Sequence, residues 1–350
     1  MTPKYLYTIA FLCLVVLPTG LLLNAQTQKK LPKTPDKQPV AENYRISGPY
    51  THKNLTVFLV HGKDLLPGKN FLTLQEALAQ KKVRVYETKE VNELAIRNLS
   101  NQDIYVQAGD IVRGGEQDRM ISVDFIVPPR SGRMPIAAFC VESGRWNKRG
   151  EEQAGFFSSS ENSASTKELK LAAKRTMSQD AVWQKVSDAQ EKLERNVGPS
   201  VRAPLSMSSL ELSVSNTQVV ESTEPYIDSL NKILRNKHDV IGYAFAINGH
   251  VNSADIYASN ALFVKLWPKL LKATATEAVA ELHQDVNAAP VAIETIQTFL
   301  ADSEQPKPKA KDVTRRVRMV TREDDKNIFF ETVDTTQKDA WVHRNYIRKQ

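Results

Sequence analysis

AGDIVRGGEQDRMISVDFIVPPRSGRMPIAAFCVESGRW, residues 108–146, decides how this chain is read. Ala108-Gly109-Asp110 has the residues of a turn. Ile111-Val112 runs into Arg113-Gly114-Gly115, and a glycine pair lets the backbone take positive φ or approach a neighbour closely. Glu116-Gln117-Asp118-Arg119 follows, dense in carboxylate, amide and guanidinium. Over residues 119–127 the letters alternate. Ile121, Val123, Phe125 and Val127 share one face; Met120, Ser122, Asp124 and Ile126 share the other, the period of a strand. Pro128-Pro129 and Ser131-Gly132 break it. Residues 134–142 form a second strand, closed by Ser143-Gly144, with Arg145-Trp146 directly after.

The stretch collects Asp110, Glu116, Gln117, Asp118, Arg119, Glu142 and Arg145 near strand ends. Such a set suits two roles. One is the rim of a pocket that binds a polar ligand or does acid–base work. The other is an internal salt-bridge network that fixes a sheet edge. Residue types leave both open, because function is argued from a site. Gly114-Gly115 is no phosphate loop, lacking the Lys-Ser/Thr ending and the wider glycine spacing.

Upstream, residues 55–60 read as a strand ending at His61-Gly62, where His61 is either catalytic or structural. Thr73-Leu74-Gln75-Glu76 is a capping box for a short helix. Residues 83–88 alternate as a strand, and 91–97 with 104–106 read as a hairpin. Residues 44–146 are therefore mostly β. Downstream, 148–165 is a Ser/Gly/Glu-rich loop, a mobile segment or a lid. Phe156-Phe157 inside it either anchors the loop or covers a ligand. Residues 166–175 and 178–196 are helical, the second with Val182, Val186, Ala189 and Leu193 on one face. Residues 204–220 are weakly patterned, and Pro225 opens another helix. Asn248-Gly249 joins two strands as a hairpin. Asp255, between apolar neighbours of its second strand, needs a partner, and Arg119 or Arg145 is the expected one. Ser259 caps a helix that Pro268 kinks or restarts. Residues 291–300 form a further helix, 304–311 a linker, and 315–322, 327–333 and 341–347 three terminal strands.

These readings converge on an α+β protein: a mostly antiparallel β layer with packed helices, one integrated body over 43–350. Residues 1–25 have the plan of a secretory signal, with Lys4, an apolar core over 9–23 and Ala25 before the cut. The apolar run falls short of the ~20 residues of a spanning helix, so cleavage is favoured over a retained anchor. Residues 26–42 are a Lys/Pro-rich tether. The expected location is outside the cytoplasm, periplasmic or extracellular, with no membrane contact after cleavage. Formal charge is +7 and diffuse, without the basic stripe of a nucleic-acid reader. Cleavage leaves one cysteine, Cys140, in an apolar strand, which suits burial better than nucleophilic chemistry. The six His are scattered, no His/Cys set has metal-ligand spacing, and no cofactor fingerprint is present.

Three runs together, GDIVRGGEQDR, CVESGRW and GYAFAINGHVNSADIY (242–257), resemble the ARG and rhodanese-phosphatase-superfamily-associated protein domain. The matching residues are Gly109, Asp110, Gly114, Gly115, Gln117, Asp118, Arg119, Cys140, Glu142, Arg145, Trp146, Gly249 and Asp255. The family brings no established activity. Its name records association with ADP-ribosylglycohydrolase-like and phosphatase-like domains, which implies by analogy a place near nucleotide or phosphate-ester chemistry. Two function classes follow. The first is a non-catalytic module that binds a small molecule or a protein. The second is a hydrolase of phosphate- or sugar-containing small molecules, with Asp110, Asp118 or Glu142 as acid or base and Arg119 or Arg145 on the developing charge.

Overall fold

A computed structural model describes residues 44–164, 166–282, 290–337 and 340–349. The stretches expected to be a signal (1–25) and a tether (26–42), and His283, lie outside the described residues. The first half comprises β1 (Arg45–His52), β2 (Leu55–His61), β3 (Leu72–Thr73), α1 (Leu74–Ala79), β4 (Val83–Glu87), β5 (Glu93–Asn98), β6 (Ile104–Val106), β7 (Asp110–Gly114), β8 (Arg119–Ile121), β9 (Phe125–Val127), β10 (Met134–Cys140) and β11 (Phe157–Ser163). Helices α2 (Lys167–Leu171), α3 (Gln179–Val197), α4 (Leu210–Val214) and α5 (Thr217–Leu230) follow. The rest is β12 (Val240–Ile247), β13 (His250–Tyr257), α6 (Asn260–Ala280), α7 (Ile293–Ser303), β14 (Lys309–Asp312), β15 (Val317–Glu323), β16 (Asn327–Asp334) and β17 (Ala340–Arg348). The protein is α+β, and nearly all its strand pairs are antiparallel.

The largest sheet has the order β1-β2-β12-β13-β17-β16-β15-β14. Successive side chains of a strand point to opposite faces, and here both faces are covered. Val57, Leu59, Tyr243 and Phe245 join the core that holds Phe263 and Trp267 of α6. Phe58, Val60, Ala244 and Ala246 join Ile296, Phe299 and Leu300 of α7. The β12–β13 hairpin turns at Asn248 and Gly249, with φ of 50° and 74°, the positive values a two-residue hairpin turn requires. The terminal strands extend this same sheet, β17 pairing with β13. The expected linker 304–311 runs into a short edge strand, β14.

The second sheet has the order β11-β7-β8-β10-β5-β4, the third β3-β6-β9. Here the structure corrects three readings. The alternating run 119–127 is two strands in two sheets, not one strand. The chain bends between Ile121 and Phe125, where Asp124 Oδ1 accepts a hydrogen bond from Ala108 N at 2.7 Å. Strands β5 and β6 are not a hairpin: β5 lies between β4 and β10, and β6 between β3 and β9. The loop 148–165 contains β11, which pairs with β7 at the sheet edge. Serine-rich alternation hides this strand, since only Phe157 brings a large apolar side chain inward. Phe157 is buried while Phe156 is 41 % exposed against Tyr86, so the pair anchors the segment.

The capping box at Thr73 and Glu76 is formed, and Val182, Val186, Ala189 and Leu193 are the buried face of α3. Pro225 does not open α5. That helix starts at Thr217 with Asn216 as its cap and carries Pro225 inside. Likewise α6 runs through Pro268 without a restart. The carbonyl that loses its partner to Pro268 belongs to Val264, which is 48 % exposed and open to water. Directly after α2, Ala172–Thr176 form a π-helical turn ending at Met177, φ 51°.

Candidate functional site

The β7–β8 turn builds the first polar centre. Gly115 sits at φ +57°, and a Cβ there would lie 2.4 Å from the Phe157 ring and 2.6 Å from Glu87 Oε2, so the turn needs glycine. It brings Asp118 under the backbone: Oδ1 accepts from Gly114 N at 3.1 Å and from Arg149 Nη2 at 3.2 Å. Oδ2 accepts from Arg149 Nη1 at 2.9 Å and Ser209 Oγ at 3.2 Å. Glu142 Oε1 accepts from Arg145 Nε at 2.7 Å. Its Oε2 accepts from Arg145 Nη2 at 2.6 Å and Asp118 N at 3.0 Å. Arg149 continues to Glu152 at 2.8 Å. Burial, with Glu142 adding its charge, pushes the Asp118 carboxyl up to about 6 against the pull of Arg149. Glu142 is also raised by burial, but its bonds to Arg145, Ser206 and Asp118 N outweigh that and hold it below the usual range.

Of the residues grouped by sequence, Asp118, Glu142 and Arg145 meet here, and the others do not. Arg119 is 1 % exposed. It donates to Val91 O at 2.6 Å, Glu90 O at 3.1 Å and Glu87 Oε1 at 3.2 Å. Asp110 pairs with Lys269 at 2.7 Å. Glu116 is half-buried, and its backbone N–H reaches Glu87 Oε2 at 3.3 Å. Gln117 is fully buried, and neither polar atom of its side chain has a hydrogen-bond partner. Arg149 and Ser209 went unnoticed in the sequence, the first because it sits in a loop read as solvent-facing. Cys140 is buried, and burial pushes its thiol up to about 11, the opposite of what a nucleophile needs.

Asp255 is not paired with Arg119 or Arg145. Its Oδ1 accepts from Asn345 Nδ2 at 2.8 Å and lies 3.0 Å from His343 Nε2. The other ring nitrogen of His343 lies 2.8 Å from Asp124 Oδ2, which also accepts from Thr332 Oγ1 at 2.8 Å. Tyr257 stacks on the His343 ring at 4.4 Å. Lys174, carried inward by the π-helical turn, donates to Asn345 Oδ1 at 3.1 Å and sits over the Phe330 ring. Burial opposes charge on His343, but Asp124 and Asp255 prevail and hold it above its ordinary value. Burial likewise favours the neutral forms of Asp124 and Asp255, yet Lys174 and His343 at the first, and His343 and Lys170 at the second, hold both low. Asp255 Oδ2 makes no hydrogen bond. It borders a cavity of about 20 Å³ walled also by Ser122, Lys170, Lys174 and the Gln107–Gly109 turn. That is room for about one water.

A third group lies at the end of the large sheet. Ser47 Oγ is 2.7 Å from His61 Nε2, and His61 Nδ1 is 2.9 Å from Asp239 Oδ1. Arg45 Nη2 is 2.8 Å from the same Nδ1 and 2.6 Å from Asp239 Oδ2.

Among the described residues no group of three or more His, Cys, Asp or Glu is placed to hold a metal ion, and no helix is long and apolar enough to cross a membrane. No curated protein and no solved structure matches the chain. Residues 43–347 match the family expected from the three motifs, and all three lie within that span. The chain belongs to the ARG and rhodanese-phosphatase-superfamily-associated protein domain family.

Proposed function

We propose that this chain is an exported, non-catalytic binding module in which the 108–146 stretch is scaffold. One observation carries the reading: all four carboxylate oxygens of Asp118 and Glu142 have partners inside the protein. Both residues are 0 % exposed. A general acid or base has to reach the proton it moves, and the partners of these two are arginines, Ser206, Ser209 and the backbone. The expected partner is a small molecule or a protein, with no nucleic acid. Asp118→Ala and Glu142→Ala test this against phosphoester and glycoside panels. Both variants should unfold at lower denaturant, and no substrate should be turned over faster by the wild type. Turnover lost in a variant that still folds would sink the reading.

The hydrolase reading has its own observation, outside the 108–146 stretch. Ser47, His61 and Asp239 stand in the hydrogen-bond order of a serine-hydrolase triad. Weighing against it, Arg45 shares both His61 and Asp239, and the Asp239 side chain is 55 % exposed, so the same contacts serve as an ion pair closing the β1 edge. A fluorophosphonate probe separates the two. Labelling that disappears in Ser47→Ala supports hydrolysis; an unlabelled wild type leaves the ion pair.

A further inference from the structure

Lys174 and Asn345 meet inside the protein with a carboxylate beside them. Lys174 belongs to the π-helical turn Ala172–Thr176 and Asn345 to β17. Both are buried. Lys174 Nζ donates to Asn345 Oδ1 at 3.1 Å. A C=O bond is about 1.2 Å long, so the Asn345 amide carbon Cγ lies within about 4.3 Å of Nζ. Attack needs roughly 3–3.5 Å, a shift that the flexible lysine stem can make.

The other atom of the same amide is held by an acid. Asn345 Nδ2 donates to Asp255 Oδ1 at 2.8 Å, across the β13–β17 ladder where the two residues pair. A buried ammonium ordinarily takes a carboxylate as its partner. Lys174 instead contacts the amide, and Asp255 Oδ2 is buried without a hydrogen bond. Lys174, Asn345 and Asp255 all line the cavity of about 20 Å³, room for one small molecule of the size of water or ammonia. The rest of the setting is apolar. Nζ lies 4.8 Å from the centre of the Phe330 ring, and Phe330 packs with Ile328 and Ile347. Burial pulls the Lys174 amine below its ordinary value, against Asp124 and Asp255, which favours the neutral, nucleophilic form.

We propose that Lys174 and Asn345 join in an isopeptide bond, made once by the folded chain on itself with Asp255 as the proton carrier. Nζ adds to Cγ, and the Cγ–Nδ2 bond breaks. Nζ gives up two of its three protons through Asp255 to the departing nitrogen, which leaves as ammonium by way of the cavity. The approach that brings Nζ onto Cγ also brings it toward Asp255, and Oδ2 is the open acceptor. No oxidant or other reactant is consumed. With the lysine charge gone, His343 remains the cation between Asp124 and Asp255. The bond spans 171 residues and ties the helical segment after α2 to the last strand. A cross-link over so long a loop restricts the unfolded chain, as a disulfide does; among the described residues the one cysteine is free.

Intact mass and tryptic mapping of the full chain test the bond. The folded wild type should be lighter than its sequence by one ammonia, about 17 Da. Cyclisation of an N-terminal glutamine sheds the same mass, so the location decides. Trypsin should release one branched peptide, residues 171–175 joined to 345–348. Lys174→Arg and Asn345→Ala should give linear peptides alone. Asp255→Asn should stay mostly unbranched over the time in which the wild type is complete. Asp255→Glu keeps the carboxylate and should branch, which separates proton transfer from folding. Linear peptides alone from folded wild type would overturn the proposal and leave Lys174 and Asn345 a hydrogen-bonded pair. Branching in Asp255→Asn as complete as in the wild type would overturn the role of Asp255. Neither result bears on whether the chain also binds a ligand.

Discussion

Asp124 and His343 are 219 residues apart in sequence and 2.8 Å apart in the fold. Their contact ties the bend after β8 to the last strand of the large sheet. Asp255 on the far side of the ring and Lys174 one amide away complete a buried set of two acids and two bases. Removing one member leaves an opposite charge buried and uncompensated, which costs far more than the pair itself contributes.

His343→Gln should therefore lose about 3–5 kcal/mol. The wild type should carry a matching pH signature. A histidine held above its ordinary 6.5 contributes stability that is complete below 6.5 and lost as pH rises through the higher folded value. Urea unfolding across pH 6 to 9 reads both effects. A wild-type curve as flat as the variant's would mean that His343 is not charged between its two acids.

Arg149 and Asp118 make the second test. Arg149→Ala leaves Asp118 buried beside Glu142, and at pH 7 the loss should be about 3–5 kcal/mol. The loss should shrink at pH 5. Asp118 already titrates near 6, so below that value the abandoned group is a neutral acid. The sign follows from linkage: a raised carboxyl contributes stability below its unfolded value and loses it as pH climbs through about 6. A variant penalty equal at both pH values would contradict the raised Asp118.

How far the sequence could be read depended on whether a signal was local. Asn248-Gly249 and Thr73 with Glu76 are local devices, and both are formed where expected. Strand β11 and the start of α5 were missed, because a serine-rich edge strand has little apolar period and a proline is easily taken for a helix start. The site residues divide in the same way. Asp118, Glu142 and Arg145 meet because one pair of neighbouring strands, β8 and β10, sets two of them side by side. Asp124, Lys174 and His343 come together only through sheet pairing and helix docking. The hint of them in the sequence was a charge placed among apolar letters, as at Asp255.

Asp334 predicts the acid side of the stability curve. Its oxygens take Arg316 at 2.7 and 3.1 Å. Burial raises this carboxyl, but the bonds to Arg316 and Thr336 outweigh it and leave the group at about 2, against an ordinary 3.8. A depressed carboxyl contributes above its unfolded value and loses that contribution as pH falls toward the folded one. Asp334→Asn should thus remove on the order of 1–2 kcal/mol at pH 7, after allowing for solvent screening, and little at pH 2. Equal losses at both pH values would tie the effect to packing instead.

Export makes a prediction that needs no structure. If residues 1–25 are a cleaved signal, protein recovered from outside the cytoplasm should have an intact mass starting at Gln26. A mass that includes Met1, found with the membrane fraction, would make the segment an anchor.

Gly242 tests the register on which the buried polar set depends. It faces Ile256 across the β12–β13 ladder, one residue from Asp255. A Cβ at this position would lie 2.4 Å from Asp255 O and 2.7 Å from Ile256 Cα. Both atoms are backbone, so no rotamer change relieves the overlap, and the two strands must part where Asp255 is held against His343. Gly242→Ala should belong to the exceptional class of substitutions, above about 4 kcal/mol. Gly132→Ala is the control: its Cβ meets nothing within 4 Å, and the change should stay within about 0.5 kcal/mol. Denaturant midpoints of the two variants make the comparison. If they coincide, β12 and β13 do not approach as closely as described, and the placement of Asp255 beside His343 loses its support.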